Sequence, residues 1–527
     1  MGLETEYGIL EPGNPRANPV VLATHVVAAY AARHSARRRQ VTWDYAGEDP
    51  LADARGFRLD RSAADPSQLT DAAPPLSDRA TLVRRPGAAE AALPTAHNAV
   101  LSNGARLYVD HAHPEYSSPE ITTPADAVRW DRAGELVMRT AMDALREIPG
   151  MPEIVLYKNN VDGKGAAYGT HENYLLERCV DFGDVVRYLT PFFVTRPILC
   201  GAGRVGLGQR SETPGFQISQ RADYVENDVG LETTFNRPII NTRDEPHSDA
   251  ERYRRLHVIG GDANRFDVST YLKLGTTSLV LWLLEAGAVP LELNALALAD
   301  PVAETAAVSH DTTLTHRLAL ADGREMTALE IQRTYFDAVS RALRERAPAG
   351  LDPETAAVVQ RWDGVLDKLA TDPASAATEV EWVAKKQILD GMRRRDGLPW
   401  DHPRLQALDL QWADLRPERS IASRLAHAGR LERLVEDADV AAAERTPPAD
   451  TRAWFRGQVV ARYPDEVAAA GWQSVVLDVP GNDHLVRVPM HDPLRGTREL
   501  IGPVLDASAT AADLVRNLQA PPGPDPA

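Results

Sequence analysis

The sequence predicts an α+β protein with a smaller α/β unit at its carboxyl end. Three observations carry this. The opening Gly2-Leu3-Glu4-Thr5-Glu6-Tyr7-Gly8 and the later Arg106-Leu107-Tyr108-Val109-Asp110 read as strands that gather polar side chains on one face. Segments near residues 19–33, 124–147 and 268–285, and most of 300–450, carry caps or helical periodicity. Trp472 to Val479 and Leu485 to Val488 flank Pro480-Gly481-Asn482-Asp483, a hairpin signal.

Each element has a local cause. The first strand stops at the breakers Glu11-Pro12-Gly13-Asn14-Pro15. Asn18 as N-cap and Pro19 in the first turn start a helix that runs to about Arg33. From Trp43 to about Ala99 the composition turns to Asp, Ala, Pro and Ser, so a mobile loop that buries little is expected over 43–99. Its place directly ahead of the Arg106–Asp110 strand fits a lid or substrate gate; the alternative is a tolerated surface insertion. Thr123-Pro124-Ala125-Asp126 caps a helix to about Glu147. Glu153 to Lys158 and His171 to Leu176 read as strands, the second placing His171 and Asn173 on one face. Gly201 to Gly215 is glycine-rich and carries Arg204 and Arg210; Arg237 to Asn241 and Leu256 to Ile259 are further strands. Pro447 and Pro448 mark a boundary, giving a main unit of 1–445, a small unit of 450–510 and a disordered tail of 511–527.

Composition excludes several classes. The chain of 527 residues has a formal charge of −17, from 75 acidic and 58 basic side chains, which argues against a nucleic-acid partner. Cys179 and Cys200 are its two cysteines, so no disulfide framework or four-cysteine zinc site is available and a reducing cytoplasm fits. The acidic start is no signal peptide, and the apolar run Leu279 to Leu284 is too short for a membrane span.

The strand faces carry the chemistry. Carboxylates gathered on one strand face call for a cation opposite, because unpaired buried charge is costly. Hard cations such as Mg²⁺ take carboxylate oxygen and bridge nucleotide phosphates. Glu4, Glu6 and Glu115, with His171 and His257, could supply ligands for two neighbouring metal positions; any one of these Glu alone reads more readily as a solvated strand face. His111 and His113 alternate, but zinc is not expected without cysteines or a His-Glu-x-x-His helix. On spacing alone Asp110 is a general base, a nucleophile or a metal ligand. Asp162-Gly163-Lys164-Gly165 lacks the ending of a Walker loop. Gly201-Ala202-Gly203-Arg204-Val205-Gly206 matches a dinucleotide fingerprint by letter, but Gly208 and Pro214 break the helix that should follow. Any nucleotide must then be held by metals and arginines on a sheet. Arg204, Arg237 and Arg243 are candidate phosphate clamps, with surface ion pairing the alternative, and Trp472 packs under a base or into the core.

Several segments, taken together and in order, are specific. They are Gly2 to Gly8, Arg106 to Glu120, Tyr168-Gly169-Thr170-His171-Glu172-Asn173-Tyr174, Cys200 to Val205, Ile218 to Asp223, Arg237 to His247, and Arg255 to Ile259 with Gly261-Asp262-Ala263-Asn264. In these the chain resembles the Pup ligase and depupylase family, within the glutamine synthetase-like carboxylate–amine ligases. The long insertion beginning Trp43-Asp44-Tyr45, and the wording of Asp110 to Glu120 and Val229 to Thr234, resemble the depupylase members; Thr5 is a ligase-like departure on the far face of its strand.

That resemblance implies a curved antiparallel sheet packed with helices, with ATP, or ADP plus phosphate, and Mg²⁺ on its concave face. Glu4, Tyr108 and Glu115 match the family's metal positions, and Glu6, His171 and His257 join them by analogy. Arg106, Ser118 and Trp472 match nucleotide positions, with Arg237 beside them. Asp110 matches the catalytic aspartate, with Arg204 among the cationic groups serving the reaction. The implied reaction deamidates the carboxyl-terminal Gln of Pup and hydrolyses the isopeptide bond between Pup and a substrate lysine. A Pup ligase consuming ATP and a catalytically silent Pup-binding scaffold remain the alternatives.

Overall fold

The computed structural model describes residues 1–34, 41–60, 62, 81–83, 98–162, 165–347 and 349–519. The strands, in chain order, begin with β1 (Gly2–Glu6), β2 (Gly8–Leu10), β3 (Thr42–Trp43), β4 (Thr81–Val83) and β5 (Asn98–Val100). They continue with β6 (Arg106–Asp110), β7 (His113–Ser117), β8 (Val155–Tyr157), β9 (Thr170–Glu177), β10 (Arg204–Leu207) and β11 (Thr213–Gln217). Then come β12 (Asn227–Gly230), β13 (Pro238–Asn241), β14 (Tyr253–Gly261), β15 (Arg317–Ala319) and β16 (Glu325–Thr327). The last are β17 (Val467–Ala470), β18 (Ser474–Leu477) and β19 (Leu485–Pro489).

The main sheet is six-stranded, in the order β14-β9-β1-β7-β6-β5, with every neighbouring pair antiparallel. Its two faces follow from period-two alternation. Leu3 and Thr5 of β1, and Thr170, Glu172, Tyr174 and Leu176 of β9, are buried on the helix-covered side. Glu4, His171 and Asn173 stand on the opposite side. Glu172 shows how a charge survives on the core side: Arg196 holds both its oxygens at 2.7 Å.

Helices cover that core. Pro19–His34 starts where Asn18 accepts from the amide of Val20 at 3.0 Å, and Pro124–Arg146 where Thr123 accepts from the amide of Asp126 at 3.1 Å. Together they bury Leu107 of β6 and Tyr116 of β7. Asp267–Glu285 is buried on almost every side, which explains why it is apolar nearly all round.

The small carboxyl-terminal sheet is not self-contained. Its order is β3-β17-β18-β19-β4, so both edge strands come from the segment ahead of β5. Two expectations change accordingly. Within the segment read as a loop over 43–99, Trp43, Leu51 and Asp53 are buried, Asp53 accepts from the Thr242 hydroxyl at 2.6 Å, and Glu245 accepts from the Asp49 amide at 2.7 Å. Residues 43–60 therefore pack as a strap, pinned by short-range polar contacts that composition does not reveal. The rest of that segment, apart from residue 62, β4 and the start of β5, lies outside the described residues. The tail read as disordered over 511–527 instead forms the helix Ala511–Gln519, with Ala511 and Leu514 fully buried against the small sheet; residues 520–527 lie outside the described residues. The helix-breaking prolines begin only at Pro521, past the end of that helix. Among the described residues no helix is long and apolar enough to cross a membrane.

A buried ion cluster joins the two parts. Glu120, just beyond β7, accepts from Arg452 at 2.7 Å and also pairs with Arg456, which in turn donates to the Gly104 carbonyl at 2.8 Å. Burial pushes the Glu120 carboxyl up, but the two guanidinium groups more than offset it and hold it at about 2, against an ordinary value of 4.5. Burial in turn draws Arg452 down, opposed by the Glu120 charge. Because the folded carboxyl is depressed, its contribution is complete above pH 4.5 and is lost as pH falls towards 2. We expect Glu120→Ala to destabilise the protein by about 3–5 kcal/mol at pH 7, since two buried cations lose their partner. The deficit should shrink on acidification across that window. Denaturant titrations at several pH values check this; a deficit independent of pH below 4.5 would contradict it.

Candidate active site on the polar face of the main sheet

Strand register assembles the site. Glu4 lies opposite Ser117 on one side and His171 on the other; Glu6 lies opposite Glu115; Tyr108 opposite Glu115; Asp110 opposite His113. Two groups of ligand-type side chains result. In Glu4, His171 and His257, and in Glu6, Asp110 and Glu115, the ligand atoms of each group lie within 4.8 Å of one another.

Each group has the character of a cation site. In the first, His171 Nδ1 and His257 Nε2 sit 3.4 and 3.6 Å from the same Glu4 oxygen, near it but beyond good hydrogen-bond length, and both ring nitrogens of His257 are buried without a hydrogen-bond partner among the described residues. Burial and Arg255 push His257 down to about 3, so it stays neutral and able to ligate. Glu4 is raised by burial but held well below its ordinary value by His171, His257 and Arg255. In the second group, burial, then Asp110, Glu6 and Glu4, push Glu115 well above the usual carboxylate range. Three crowded carboxylates are unfavourable alone and favourable around a divalent cation, which reverses that direction. The donor set thus fits a hard metal.

The tight β6–β7 turn presents Asp110. His111 adopts φ +49° there, and its Nδ1 lies 3.1 Å from the Asp110 carboxylate. Burial raises Asp110, but the bond to His111 and the charges of His111, His171 and Arg106 prevail and hold it below its ordinary value. Asp110 is therefore ionised at neutral pH. Glu6 is fixed from behind by the Gly169 amide. A Cβ on Gly169 would lie 2.2 Å from His171 Nε2, so only glycine brings that amide in.

Two cavities flank the carboxylates. One, of about 400 Å³, is lined by Gly2, Glu4, Ser117, Ser118, Arg255 and Trp472 among others. The other, of about 700 Å³, is lined by Gly8, His113, Tyr168, Arg204, Arg210 and Gln220 among others. Along β1 the first cavity takes the Gly2–Glu4 end and the second begins at Gly8; along β7 the first takes Ser117 and the second His113. Glu6, Asp110 and Glu115 lie between, where ligands entering from the two ends would meet.

Of the arginines anticipated from sequence, Arg204 lines one of these cavities. Arg106 is sandwiched between the rings of Trp43 and Tyr108, at 4.1 and 3.8 Å, and donates to Asn98 at 2.8 Å. Trp43 meets Trp472 edge-on at 5.1 Å, so the strap residue and the carboxyl-terminal residue form one aromatic wall. The Ser118 hydroxyl is occupied within the fold, accepting from Leu3 at 2.9 Å and donating to Pro119 at 3.1 Å. Arg237 is the anticipated arginine that feels Glu6, with Tyr224 and Glu226 beside it. Arg204 instead lines the larger cavity, bonded to Gln209 and Ser211 at 2.9 and 3.0 Å and 3.8 Å from Asp223. Arg243 joins the strap, 3.8 Å from Glu245.

Sequence reasoning missed three participants, Arg221, Arg255 and Tyr168, and gave Asn173 its strand face but no role. Arg221 is buried, and burial and Arg237 draw it down to about 10, with Glu6 opposing; its Nε has no hydrogen-bond partner among the described residues. It lies in an irregular loop, where no periodicity marks it. Asn173 donates to Glu4 at 3.1 Å and accepts from Arg255 at 2.7 Å. Arg255 alternates with His257 on β14, a signal that was legible. Tyr168 stacks on His113 at 4.2 Å across the larger cavity.

The fold and the two cavities over a carboxylate cluster define an enzyme built on an antiparallel sheet. A model of the Pup-ligase protein family matches residues 1–476, and the chain belongs to that family. It is 50% identical over 524 residues to the Pup deamidase/depupylase of Mycobacterium tuberculosis, covering 99% of each chain. Among solved structures it superposes on the ligase PafA in complex with the prokaryotic ubiquitin-like protein Pup, with a TM-score of 0.74, 30% identity and coverage of 98% and 93%. It also superposes on PafA in complex with ADP, with a TM-score of 0.70, 34% identity and coverage of 79% and 90%. The expected glutamine synthetase-like fold is borne out by these matches.

The carboxylate trio yields a prediction. A raised folded-state value means that metal-free stability falls as pH rises above 4.5, because the unfolded chain then releases a proton that the native state still holds. Glu115→Gln removes that penalty along with a ligand. We expect its metal-free melting temperature to equal or exceed the wild type, with the advantage growing as pH rises, while the increase produced by a divalent cation largely disappears. Thermal scans with and without cation decide; a lower metal-free melting temperature with an intact cation response would sink the assignment.

Proposed function

We propose that the chain is a Pup deamidase and depupylase. The observation that carries this is 50% identity over nearly the full length to a deamidase/depupylase, against 30 and 34% to the ligase PafA. The chain binds nucleotide, as PafA binds ADP. Both activities hydrolyse a carbonyl attached to nitrogen at one side-chain carbon: the carboxyl-terminal Gln amide of Pup, or the isopeptide bond to a substrate lysine.

In our reading the smaller cavity takes the nucleotide, with Arg106, Trp472 and the Ser118 turn against it and Arg237 towards its phosphate end. The larger cavity admits the carboxyl end of Pup, with Arg204 in its wall. Glu4, His171 and His257 hold one Mg²⁺; Glu6, Glu115 and Tyr108 border a second. Bound there, Mg²⁺ would supply positive charge where negative charge develops on the carbonyl oxygen, and the nucleotide phosphate would help to position the metal.

The chain's own groups do the rest. Asp110, ionised and steered by His111, either takes a proton from water or attacks the carbonyl directly to give an acyl-aspartate that water then opens. Nitrogen leaves with a proton, as ammonia or as the lysine amine. Arg221 and Arg237 add fixed positive charge beside Glu6. The strap places Trp43 over Arg106 and keeps that guanidinium aimed. Two free cysteines and the absence of a membrane-length helix among the described residues support a cytoplasmic setting.

Condensing an amine with a carboxylate in water is uphill and must be coupled to ATP; hydrolysis of the same bond is downhill. We therefore expect ammonia from Pup ending in Gln, and free Pup from a Pup conjugate, with far less than one ADP formed per product over many turnovers. Mass spectrometry of the products with a parallel ADP count tests this. Stoichiometric ADP, or conjugate formation alone, would move the chain to ligase chemistry; nucleotide and Pup binding without turnover would make it a scaffold.

Asp110→Asn is nearly isosteric but neither accepts a proton nor attacks. We expect nucleotide binding and melting temperature to be kept and both activities to fall by about 10²–10⁴ or more. Turnover near the wild-type rate would remove Asp110 from its role.

A further inference from the structure

His247 lies in the loop between β13 and β14 and lines the smaller cavity. The loop is fixed on both sides of it. Asp244 pairs with Arg178 at 2.8 Å, Glu245 lies 3.4 Å from Arg255, and Ser248 donates to the His491 carbonyl at 2.9 Å. Between these anchors His247 adopts φ +47°, left-handed backbone that a residue with a Cβ takes at a cost. An imposed backbone sets the direction of the side chain.

The imidazole is half-buried and has no hydrogen-bond partner among the described residues. Burial, then Arg255 and Arg452, hold it well below its ordinary value, so it is uncharged and offers one donor and one acceptor. The cavity is graded around it. Glu4, Arg255 and Asn173 make one end charged and polar, suited to metal and phosphate. Ile121, Pro493 and Leu494 add apolar surface to the wall, suited to a base, beside the Glu120–Arg452 pair. A neutral donor–acceptor that feels Arg255, Arg452, Glu4 and Glu120 shares the cavity wall with all four.

We infer that His247 is a specificity-determining contact for the ribose hydroxyls of the bound nucleotide. The inference rests on reading the smaller cavity as the nucleotide cleft. A neutral imidazole adds little for phosphate, which the arginines and metal ligands already serve, and it pairs well with a vicinal diol, whose hydroxyls both donate and accept.

The test compares ADP with 2′,3′-dideoxy-ADP and with tripolyphosphate on the full chain by calorimetry. In the wild type, loss of both hydroxyls should weaken binding about tenfold. In His247→Ala that penalty should vanish, with ADP weakened about tenfold and tripolyphosphate unchanged. His247→Asn, which tolerates the same backbone, controls for loop collapse: it should keep the metal-free melting temperature and still weaken ADP over dideoxy-ADP. Persistence of the full hydroxyl penalty in both variants, or equal weakening of all three ligands, would falsify the assignment. Trp472→Ala separates the two levels. Undiminished ADP binding there overturns the cleft and this inference with it, whereas weakened ADP binding there with unchanged binding in His247→Ala overturns His247 alone.

Discussion

Like charges held close together govern this molecule. Glu6, Asp110 and Glu115 come from three strands, β1, β6 and β7, yet their oxygens converge within 4.8 Å. Left alone, burial and mutual repulsion in such a cluster push the Glu115 carboxyl well above the usual carboxylate range. Much of the surrounding sequence supplies compensation: the Gly169 amide on Glu6, the imidazole of His111 on Asp110, the buried guanidinium groups of Arg221 and Arg237 nearby. What these groups leave unbalanced is the part a divalent cation is suited to balance. The site is metastable as a protein surface and favourable as a ligand shell.

Antiparallel pairing sets that cluster between two cavities. Because β1 and β7 run in opposite directions in register, one end of both strands opens on the smaller cavity and the other end on the larger. The hydrogen-bond ladder therefore fixes the distance between the cavities, and side chains only tune it. Tuning is visible in Arg106, whose guanidinium is clamped between two rings, one on its own strand and one on the strap.

The strap binds distant parts of the chain into one unit. Trp43 leaves the small sheet through β3 and reaches Arg106; Asp53 and Asp49 tie the strap to residues 242–245; that loop in turn carries His247 into the smaller cavity. Glu120 locks the same small sheet to the end of β7. The wall of the smaller cavity at Trp472, strap packing and docking of the small sheet are thus mechanically shared, although Trp43 and Trp472 lie more than 400 residues apart in the chain.

Period-two alternation was enough to place Glu4 with Glu6, His171 with Asn173 and Tyr108 with Asp110 on shared strand faces, and the capping residues Asn18 and Thr123 marked their helices from the sequence alone. Those signals are local, since a strand or a cap is written within a few neighbours. Register is not local. Only the tertiary structure split the ligands into a Glu4–His171–His257 group and a Glu6–Asp110–Glu115 group, moved Arg204 into the wall of the larger cavity and brought Arg221 to Glu6. Composition misled where a few contacts outweigh many small polar residues: the strap over 43–60 is held by residues 242–245 and by the small sheet far along the chain, and the helix Ala511–Gln519 packs on that same sheet, beyond its own local window. The sequence by itself determined the chemical inventory and the faces that carry it. The tertiary structure decided which members share a site, because that depends on strand order and on long-range pairing that no sequence window contains.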